Sequence, residues 1–250
     1  MNLSFAGKTV VVSGAGQGLG RTIAESFVKL GGDVHGCDIL EKELAEAAKS
    51  GVKTKAVDLT DRKAAASFIA GVEKASGRAI DVLVNNAGGV AGQVHKPLDE
   101  ISDEAWDKVI AVNLGAAFAL TRAAAPAMKR AKSGRIVNIS SGAGLQASLT
   151  GIQAYCSAKH AVIGFTRQLA HELGPFGITV NSVAPGFIRS NPSTEKQWES
   201  YGADGQRALV DRIALRHLGT AQDIANAVIF FASELAGFVN GQVLSVDGGR

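Results

Sequence analysis

Residues 10–20 read VVVSGAGQGLG, an apolar run that passes directly into four closely spaced glycines. The β-branched run favours a strand, and glycine lets the chain turn sharply into the helix predicted near Arg21–Leu30. Because no Cβ atoms stand in the way, backbone amides of the turn can approach a pyrophosphate, and the helix N-terminus adds positive potential there. The stretch therefore predicts the strand, turn and helix that open a parallel β-α-β sheet and bind a phosphate group.

Short β-branched runs and longer helical patterns alternate to the end of the chain. Apolar strands separated by helices are typical of parallel sheets covered on both faces, and right-handed crossovers wind such a sheet in two directions. We therefore predict a single α/β domain over residues 1–250, with a doubly wound parallel sheet and helices on both faces. The predicted strands are Val10–Ser13, Val34–Asp38, Val52–Asp58, Val82–Asn85, Arg135–Ser141, Thr179–Ala184 and Val243–Val246. Further helices are predicted near Glu41–Lys49, Asp61–Ala75, Asp103–Met128, Tyr155–Leu173 and Ala221–Phe231.

One long segment, residues 187–219, is predicted to be irregular. It is rich in polar residues and carries Trp198 and Tyr201. Long loops in compact domains are usually functional or disordered, and this one follows a predicted strand at the edge where substrates enter such sheets. We interpret it as a substrate loop that closes over a site, with a plain surface excursion as the alternative.

Composition and charge exclude several classes of protein. The formal net charge is only +3 and the richest basic stretch is confined to residues 129–135, so nucleic acid is not an expected partner. Two cysteines, Cys37 and Cys156, are too few for a disulfide framework. The longest uncharged helical stretch, Val109–Thr121, is too short to span a bilayer, and the histidines lack metal-ligand spacing. We expect a soluble cytoplasmic protein that uses neither a membrane nor a metal.

Asp38 ends the second predicted strand, well after the glycine-rich turn in sequence. A carboxylate at this place can accept hydrogen bonds from both ribose hydroxyls of adenosine, and it repels the 2′-phosphate that distinguishes NADP from NAD. Neither Gln17 nor Ile39 supplies a compensating cation. Asp38 therefore favours NAD, with capping of the following loop as its alternative role.

Two further strand ends carry small or polar residues. Asp58 and Leu59 offer a carboxylate and a backbone amide to an adenine edge, while capping of the next helix is an equally good interpretation of Asp58. The fourth strand ends in Asn85-Asn86-Ala87-Gly88, where small residues let the backbone lie against a cofactor. By itself, the same sequence would also suit an ordinary strand-to-loop turn.

Tyr155 and Lys159 stand four residues apart at the start of a predicted helix, so they share one face. Oxidation of an alcohol needs a base for the hydroxyl proton, and an isolated tyrosine with a pKa of about 10 is a poor base at neutral pH. A lysine ammonium on the same face favours the phenolate. The spacing alone is a weak signal, because chance supplies such pairs.

Ser141 and Asn113 add to this pair. Ser141 ends the fifth predicted strand, just before the helix, and can donate a hydrogen bond to a substrate oxygen. Asn113 interrupts an apolar stretch of a long predicted helix, so it is either buried with its hydrogen bonds satisfied or functional.

Taken together, the motifs resemble those of the short-chain dehydrogenase/reductase family over essentially the whole chain. In order, they are Gly14-x-x-x-Gly18-x-Gly20, Asp58, Asn85-Asn86-Ala87-Gly88, Asn113, Ser141, Tyr155-x-x-x-Lys159 and Pro185-Gly186. The resemblance implies a Rossmann-type fold with a seven-stranded parallel sheet, and a homotetramer. It further implies that Tyr155 is the general acid/base and that Ser141 polarises the substrate oxygen. It gives Lys159 a contact with the nicotinamide ribose, and Asn113 a water in a proton relay.

Motifs and resemblance together define the candidate binding residues. Those expected at the cofactor are Gly14, Gln17, Gly18, Leu19, Gly20, Asp38, Ile39, Asp58, Leu59, Asn85, Ala87, Gly88, Tyr155, Lys159, Pro185, Gly186, Ile188 and Ser190. Those expected at the substrate are Gln93, Gln146, Gln153, Phe187 and Trp198. The interval from Ser141 to Tyr155 is one residue longer than is commonest in the family, which leaves Ser140 as an alternative to Ser141. Ser190 stands where the family often has threonine, and it keeps the hydroxyl.

The function predicted from the sequence is NAD-dependent hydride transfer between nicotinamide and a secondary alcohol or its ketone. One alternative is an NADPH-dependent ketoreductase that acts on 3-oxoacyl thioesters. Another is a dinucleotide-binding regulator without activity, which the complete set of Ser141, Tyr155, Lys159 and Asn113 argues against. The expected partner is a small-molecule substrate.

Overall fold

A computed structural model describes residues 3–250, and in that part of the chain seven strands alternate with nine α-helices. The strands are β1 (Thr9–Ser13), β2 (Asp33–Asp38), β3 (Lys53–Ala56), β4 (Val82–Asn85), β5 (Gly134–Ile139), β6 (Ile178–Pro185) and β7 (Val243–Val246). The helices are α1 (Gly18–Lys29), α2 (Glu41–Lys49), α3 (Arg62–Ser76), α4 (Asp103–Ile110), α5 (Ala116–Ala131), α6 (Gln153–Leu173), α7 (Pro192–Ser200), α8 (Gly202–Asp211) and α9 (Ala221–Ala232).

The strands form one sheet in the order β3-β2-β1-β4-β5-β6-β7. Every neighbouring pair is parallel, so the carboxyl ends of all seven strands lie at one edge. The chain winds outward from β1 to β3, returns to β4, and then winds the other way to β7. The predicted doubly wound, seven-stranded parallel sheet is confirmed.

The core lies on both faces of this sheet because successive strand residues point in opposite directions. Val10 and Val12 of β1 belong to one buried cluster together with Phe27 of α1. Val11, between them, belongs to a second cluster that includes Leu120 of α5. Apolar surface is thus removed from water on either side, which leaves the carboxyl edge of the sheet for polar chemistry.

Helices α4 and α5 are joined by a π-helical turn, Ala111–Gly115, into one helix of 29 residues with a mean hydropathy of 1.4 over its most apolar window. By length and composition alone such a helix could cross a membrane. Its residues Leu120, Ala124 and Met128 are, however, fully buried in the core beneath the sheet. We therefore describe it as a core helix of the domain.

The prediction of an irregular segment over residues 187–219 is wrong for its central part, which forms α7 and α8. Asn191 caps α7: its Oδ1 accepts a hydrogen bond from the Thr194 amide at 3.0 Å, and the Thr194 hydroxyl accepts one from the Asn191 amide at 3.1 Å. Pro192 follows at the first helical position, where its fixed φ suits a helix. These local signals outweigh the polar composition on which the prediction rested.

Candidate active site

The glycine-rich turn between β1 and α1 is shaped by close contacts between backbone segments. A Cβ atom at Gly20 would collide with the carbonyl oxygen of Gly14 and with the side-chain amide of Asn86. Gly14 itself has a φ of +66°, in the left-handed region. The side chain of Gln17, which precedes α1, makes no hydrogen bond to the first amides of the helix. A turn of this shape at an uncapped helix N-terminus fits the phosphates of a dinucleotide.

Asp38 at the end of β2 contacts that turn directly. Its Oδ2 accepts a hydrogen bond from the Gly16 amide at 3.0 Å, and its Oδ1 accepts one from the Ile39 amide at 2.7 Å. The carboxylate therefore caps the following loop, which is the alternative role weighed for it, and it also faces the turn; its contact with a ribose stays a prediction. Gly16 was not among the predicted site residues, although a Cβ there would lie only 2.9 Å from Asp38 Oδ2.

Asp58 at the end of β3 is exposed and binds Thr60, not the helix that follows. Its Oδ1 accepts hydrogen bonds from the Thr60 amide at 2.9 Å and from the Thr60 hydroxyl at 2.7 Å. These two bonds lower the pKa of the Asp58 carboxyl. The residue that caps α3 is Asp61, so the capping alternative for Asp58 is wrong. Leu59, beside it, is buried in the core.

Asn85 and Asn86 at the end of β4 have different contacts. Asn85 is buried, and its Nδ2 donates to Thr121 Oγ1 at 3.0 Å and to Asn138 Oδ1 at 2.8 Å, which joins β4 to α5 and β5. Asn86 Nδ2 instead donates to the carbonyl oxygens of Ser13 at 2.9 Å and of Gly14 at 3.1 Å. The side chain that supports the glycine-rich turn is thus that of Asn86, which was not among the predicted binding residues.

Ser141 and Tyr155 lie together beyond the end of β5. Tyr155, in the first turn of α6, is partly buried, and the nearby Ser141 hydroxyl lowers its pKa. Ser140, in contrast, is 2% exposed, and its hydroxyl donates to the backbone oxygen of Lys159 at 3.0 Å. The structure therefore brings Ser141 to Tyr155 and uses Ser140 to attach α6 to the end of the sheet.

Lys159 is buried one helical turn after Tyr155. Its Nζ donates to the backbone oxygen of Ile139 at 2.9 Å and lies 5.7 Å from the centre of the Tyr155 ring. Burial lowers the pKa of Lys159 from its ordinary value to about 8. At neutral pH most molecules keep the ammonium charge, but the amine is poised to exchange a proton.

The pKa of Tyr155 differs from the expectation. Burial raises it above its ordinary value, and only the Ser141 hydroxyl opposes the rise. Desolvation of the phenolate therefore outweighs the Ser141 hydroxyl, and the predicted stabilisation of the phenolate by Lys159 stays a prediction.

Asn113 lies in the π-helical turn between α4 and α5 and is 2% exposed. Its Oδ1 accepts from the Gly89 amide at 3.0 Å, while its Nδ2 donates to the Gly89 oxygen and the Val109 oxygen, each at 2.8 Å. Gly88 passes so close that a Cβ there would be 2.5 Å from Asn113 Oδ1 and 3.3 Å from Lys159 Nζ. Asn113 thus holds the chain after β4 against the lysine. The predicted contact of Asn113 with a relay water stays a prediction.

Hydrogen bonds join the loop after β4 to the segment that precedes and begins α6. Gln153 Nε2 donates to the Lys96 oxygen at 3.0 Å, and His95 Nδ1 contacts the Gly151 oxygen at 2.9 Å. The segment after β4 is in this way attached to the segment between Ser141 and α6. Gln93 is partly buried and Gln146 is exposed. Their contact with a substrate, like that of Gln153, stays a prediction.

The segment after β6 combines a residue buried in the core with a cluster of aromatic side chains. Ile188 is 6% exposed and packs in the core. The rings of Phe187 and Trp198 stack with centres 6.0 Å apart, and the Arg189 guanidinium lies 5.3 Å from the centre of Trp198. Ser190 reaches the other half of the site, because a Cβ at Gly18 would lie 3.2 Å from its hydroxyl. The segment therefore touches the glycine-rich turn.

At the end of β6, the Gly186 amide donates to the Val246 oxygen at 3.0 Å, and a Cβ at Gly186 would lie 2.9 Å from Asp247. The backbone of Pro185-Gly186 is thus held against β7 at the same edge of the sheet. A continuous line of contacts leads from Gly14 through Asn86 and Gly88 to Lys159. Backbone groups along this line suit a dinucleotide, because they leave room for it and offer amides to its phosphates.

Known proteins share this fold and sequence over almost the entire chain. Residues 14–250 match the family described as enoyl-(acyl carrier protein) reductase. The 3-oxoacyl-[acyl-carrier-protein] reductase FabG of Salmonella typhimurium is 36% identical over 251 residues, which covers 99% of this chain and 98% of that one. A short-chain type dehydrogenase/reductase from Mycobacterium ulcerans superposes with a TM-score of 0.91 at 30% identity, over 99% of this chain and 90% of the other. A candidate NAD(P)-dependent gluconate 5-dehydrogenase from Beutenbergia cavernae, with NADP bound at low occupancy, superposes with a TM-score of 0.86 at 38% identity. That match covers 100% of this chain and 98% of the other.

These similarities confirm the family predicted from the motifs and leave its finer assignments open. The name of the Salmonella relative fits the alternative of 3-oxoacyl thioester reduction better than NAD-dependent alcohol oxidation. The Beutenbergia structure contains NADP, so it gives no support to NAD in particular. The protein is an oxidoreductase that belongs to the short-chain dehydrogenase/reductase family.

Proposed function

We propose that the protein interconverts a ketone and a secondary alcohol by hydride transfer, with NAD(H) as the cofactor. The observation that carries the proposal is the convergence of Ser141, Tyr155 and Lys159 at one end of the line of contacts that starts at the glycine-rich turn. A hydroxyl pair for the substrate oxygen and a buried cation beside it are what carbonyl reduction requires.

The chain would hold a dinucleotide through its backbone at one end and through side chains at the other. The amides at the start of α1 suit the phosphates, and Asp38 suits the adenosine ribose. When bound, the nicotinamide supplies the acceptor or donor of the hydride. Lys159, 4% exposed and next to Gly88, would hold the ribose on that side.

Proton transfer is assigned to Tyr155. In oxidation, the Ser141 and Tyr155 hydroxyls bind the alcohol oxygen and Tyr155 accepts its proton; in reduction, Tyr155 returns the proton to the carbonyl oxygen. Because burial raises the pKa of Tyr155 in the free protein, its phenolate needs positive charge nearby. Lys159 supplies one such charge, and an oxidised nicotinamide carries another.

The preference for NAD rests on Asp38. Its carboxylate faces Gly16 of the turn, so a 2′-phosphate on the adenosine ribose would meet a negative charge. Unit charges about 4 Å apart repel by roughly 4 kcal/mol at an intermediate dielectric, which corresponds to several hundred-fold in affinity.

A second candidate function is the NADPH-dependent reduction of 3-oxoacyl thioesters, which the name of the 36% identical relative favours. It uses the same hydroxyl pair and the same tyrosine, so the two candidates differ in cofactor and in the group attached to the ketone. The charge of Asp38 opposes this candidate.

One assay separates the two. Purified protein is given NAD with a panel of secondary alcohols, sugars and hydroxy acids, and separately NADPH and NADH with acetoacetyl thioesters, while nicotinamide fluorescence is followed. We expect turnover with NAD or NADH to exceed that with NADP or NADPH. Efficient thioester reduction with NADPH alone would establish the second candidate, and no turnover in any arm would contradict both.

The proposal extends to the assembly and the location of the protein. Leu244 on the edge strand β7 is 40% exposed and Phe230 on α9 is 36% exposed, which is apolar surface that a second copy could cover. We therefore propose a cytoplasmic homotetramer that acts on a small molecule. Light scattering on the eluted protein tests the tetramer, and a monomeric mass would contradict it.

A further inference from the structure

The segment after β6 brings the side chain of Asn191 to the glycine-rich turn. A Cβ atom at Gly18, the first residue of α1, would lie 3.3 Å from Asn191 Nδ2 and 3.2 Å from the Ser190 hydroxyl. Gly18 has a φ of +57°, in the left-handed region that favours glycine, so no side chain separates the two segments. The side-chain amide of Asn191 therefore lies at the N-terminal end of α1, where the proposed function places the phosphates of the cofactor.

The orientation of this amide is set by α7. Asn191 Oδ1 accepts a hydrogen bond from the Thr194 amide at 3.0 Å, as the cap of that helix. If the side-chain amide were turned over, its NH2 group would face the N–H of Thr194, donor against donor, so the cap keeps Nδ2 on the side of Gly18. Asn191 is partly exposed, and its Nδ2 is not one of the buried unpaired atoms in residues 3–250. A ligand can therefore reach this donor.

The NH2 group of Asn191 suits a phosphate oxygen at this place. Hydrogen bonds to ionised acceptors are roughly twice as strong as those between neutral groups. The side chain of Gln17 leaves the first amides of α1 uncapped, so a pyrophosphate that binds these amides could also accept from Asn191. An aspartate would cap α7 equally well but would present a negative charge to the phosphates. Asparagine thus combines a helix cap with a donor for an anion.

We propose that Asn191 Nδ2 donates a hydrogen bond to the pyrophosphate of the bound dinucleotide, in addition to the contact predicted for Ser190. The assignment rests on the proposed function, because it requires a dinucleotide in this site. Asn191 also caps α7, which carries Trp198 stacked on Phe187. One side chain would therefore join the cofactor to the segment that we interpret as the substrate loop.

Two substitutions at Asn191 separate the donor from the cap. Serine and aspartate cap helices about as well as asparagine, so Asn191→Ser and Asn191→Asp should unfold at the wild-type temperature in the absence of ligand. Both variants lose the NH2 donor, and aspartate also adds a negative charge. Asn226→Asp, at an exposed position on α9, is the matched control for the change of charge.

Calorimetric titration with NADH, NADPH and ADP-ribose measures the contact without turnover. ADP-ribose has the pyrophosphate but lacks the nicotinamide, so it distinguishes the proposed contact from one at the nicotinamide end. We expect Asn191→Ser to bind ADP-ribose and the preferred cofactor about tenfold to a hundredfold more weakly than the wild type, which is the range for a hydrogen bond to a charged group. Asn191→Asp should bind both still more weakly, because its carboxylate repels the phosphates, and Asn226→Asp should bind as the wild type does.

Wild-type affinity of Asn191→Ser for ADP-ribose would overturn the assignment. A loss of affinity confined to NADH or NADPH, with ADP-ribose unaffected, would place the contact at the nicotinamide and would overturn it too. Both results leave the proposed function standing. A wild-type protein that binds none of the three ligands would instead contradict the proposed function and, with it, the role of Asn191.

Discussion

The two ends of the candidate active site are built from different parts of the chain. At the adenosine end, the turn between β1 and α1 offers backbone amides, and one carboxylate, Asp38, is held by the Gly16 amide at 3.0 Å. At the chemical end, beyond β5, the groups are side chains, and burial shifts the pKa values of Tyr155 and Lys159. In the proposed function, the first end would select the cofactor by shape and charge, whereas the second would depend on how a buried phenol and a buried amine share protons. Changes at the first should alter which cofactor binds, and changes at the second should alter the rate.

The largest effect is expected at the chemical end. Tyr155→Phe removes the hydroxyl that we propose as proton donor and acceptor and should lower kcat by about a thousandfold, within the range for general acid–base catalysis. Cofactor affinity, followed by nicotinamide fluorescence, should change little. The matched control is Tyr201→Phe, which changes the other tyrosine of the chain, whose hydroxyl contacts Gln197. If both variants lose activity to the same extent, or if neither loses any, Tyr155 has no special part in proton transfer.

The next effect belongs to the adenosine end. Asp38→Asn keeps the shape of the side chain and removes its charge, so kcat/KM with NADP relative to NAD should rise by roughly a hundredfold. Asp33→Asn, at the opposite end of β2, is the control and should leave the ratio unchanged. An Asp38→Asn enzyme with the wild-type cofactor ratio would show that the carboxylate does not select the cofactor.

A third experiment measures how much the burial of Lys159 lowers the free energy of unfolding. Its pKa falls from 10.5 to about 8 on folding, so the unfolded chain binds an extra proton between these pH values, and the free energy of unfolding should rise with pH there. The contribution is at most about 3 kcal/mol. Lys159→Met should be more stable than the wild type at pH 7 in urea unfolding, and this advantage should shrink above pH 8. Lys42→Met, at an exposed position, is the control. If the difference in free energy of unfolding between Lys159→Met and the wild type stays constant with pH, the lowered pKa of Lys159 is contradicted.

The smallest effect concerns two glycines in helices. Gly20→Ala places a methyl group against the Gly14 carbonyl and should cost about 1–3 kcal/mol of stability and weaken cofactor binding. Gly164→Ala in α6 has open space around it and should stabilise the protein by about 0.5–1 kcal/mol. Thermal unfolding and cofactor titration of both variants provide the comparison. Equal effects would mean that the turn tolerates a side chain.

Much of the fold was predictable because the periodicity of apolar residues indicates where strands and helices lie. The β-branched runs and the helical periodicity place all seven strands, although β3 begins and ends inside its predicted range. The cap Asn191-Pro192-x-Thr194 was present in the sequence, but the polar composition of its surroundings hid α7. Local capping signals should therefore be examined before a polar segment is described as irregular.

The site residues show where sequence patterns reach their limit. Tyr155, Lys159 and Ser141 were predictable from order and spacing, and the structure brings them together. The different contacts of Asn85 and Asn86 were not predictable, because neighbouring residues at a strand end point to opposite sides and only the neighbouring elements decide which side is the site. The raised pKa of Tyr155 was also unpredictable, since burial is a property of the folded chain.

The central claim is that Tyr155 becomes an effective base only when positive charge beside it offsets its burial. The direct measurement is an ultraviolet titration of the tyrosinate in the wild type minus that in Tyr155→Phe, with and without NAD. We expect the phenol to ionise above its ordinary pKa in the free protein and at clearly lower pH when NAD is bound. A titration that NAD leaves unchanged would contradict the account.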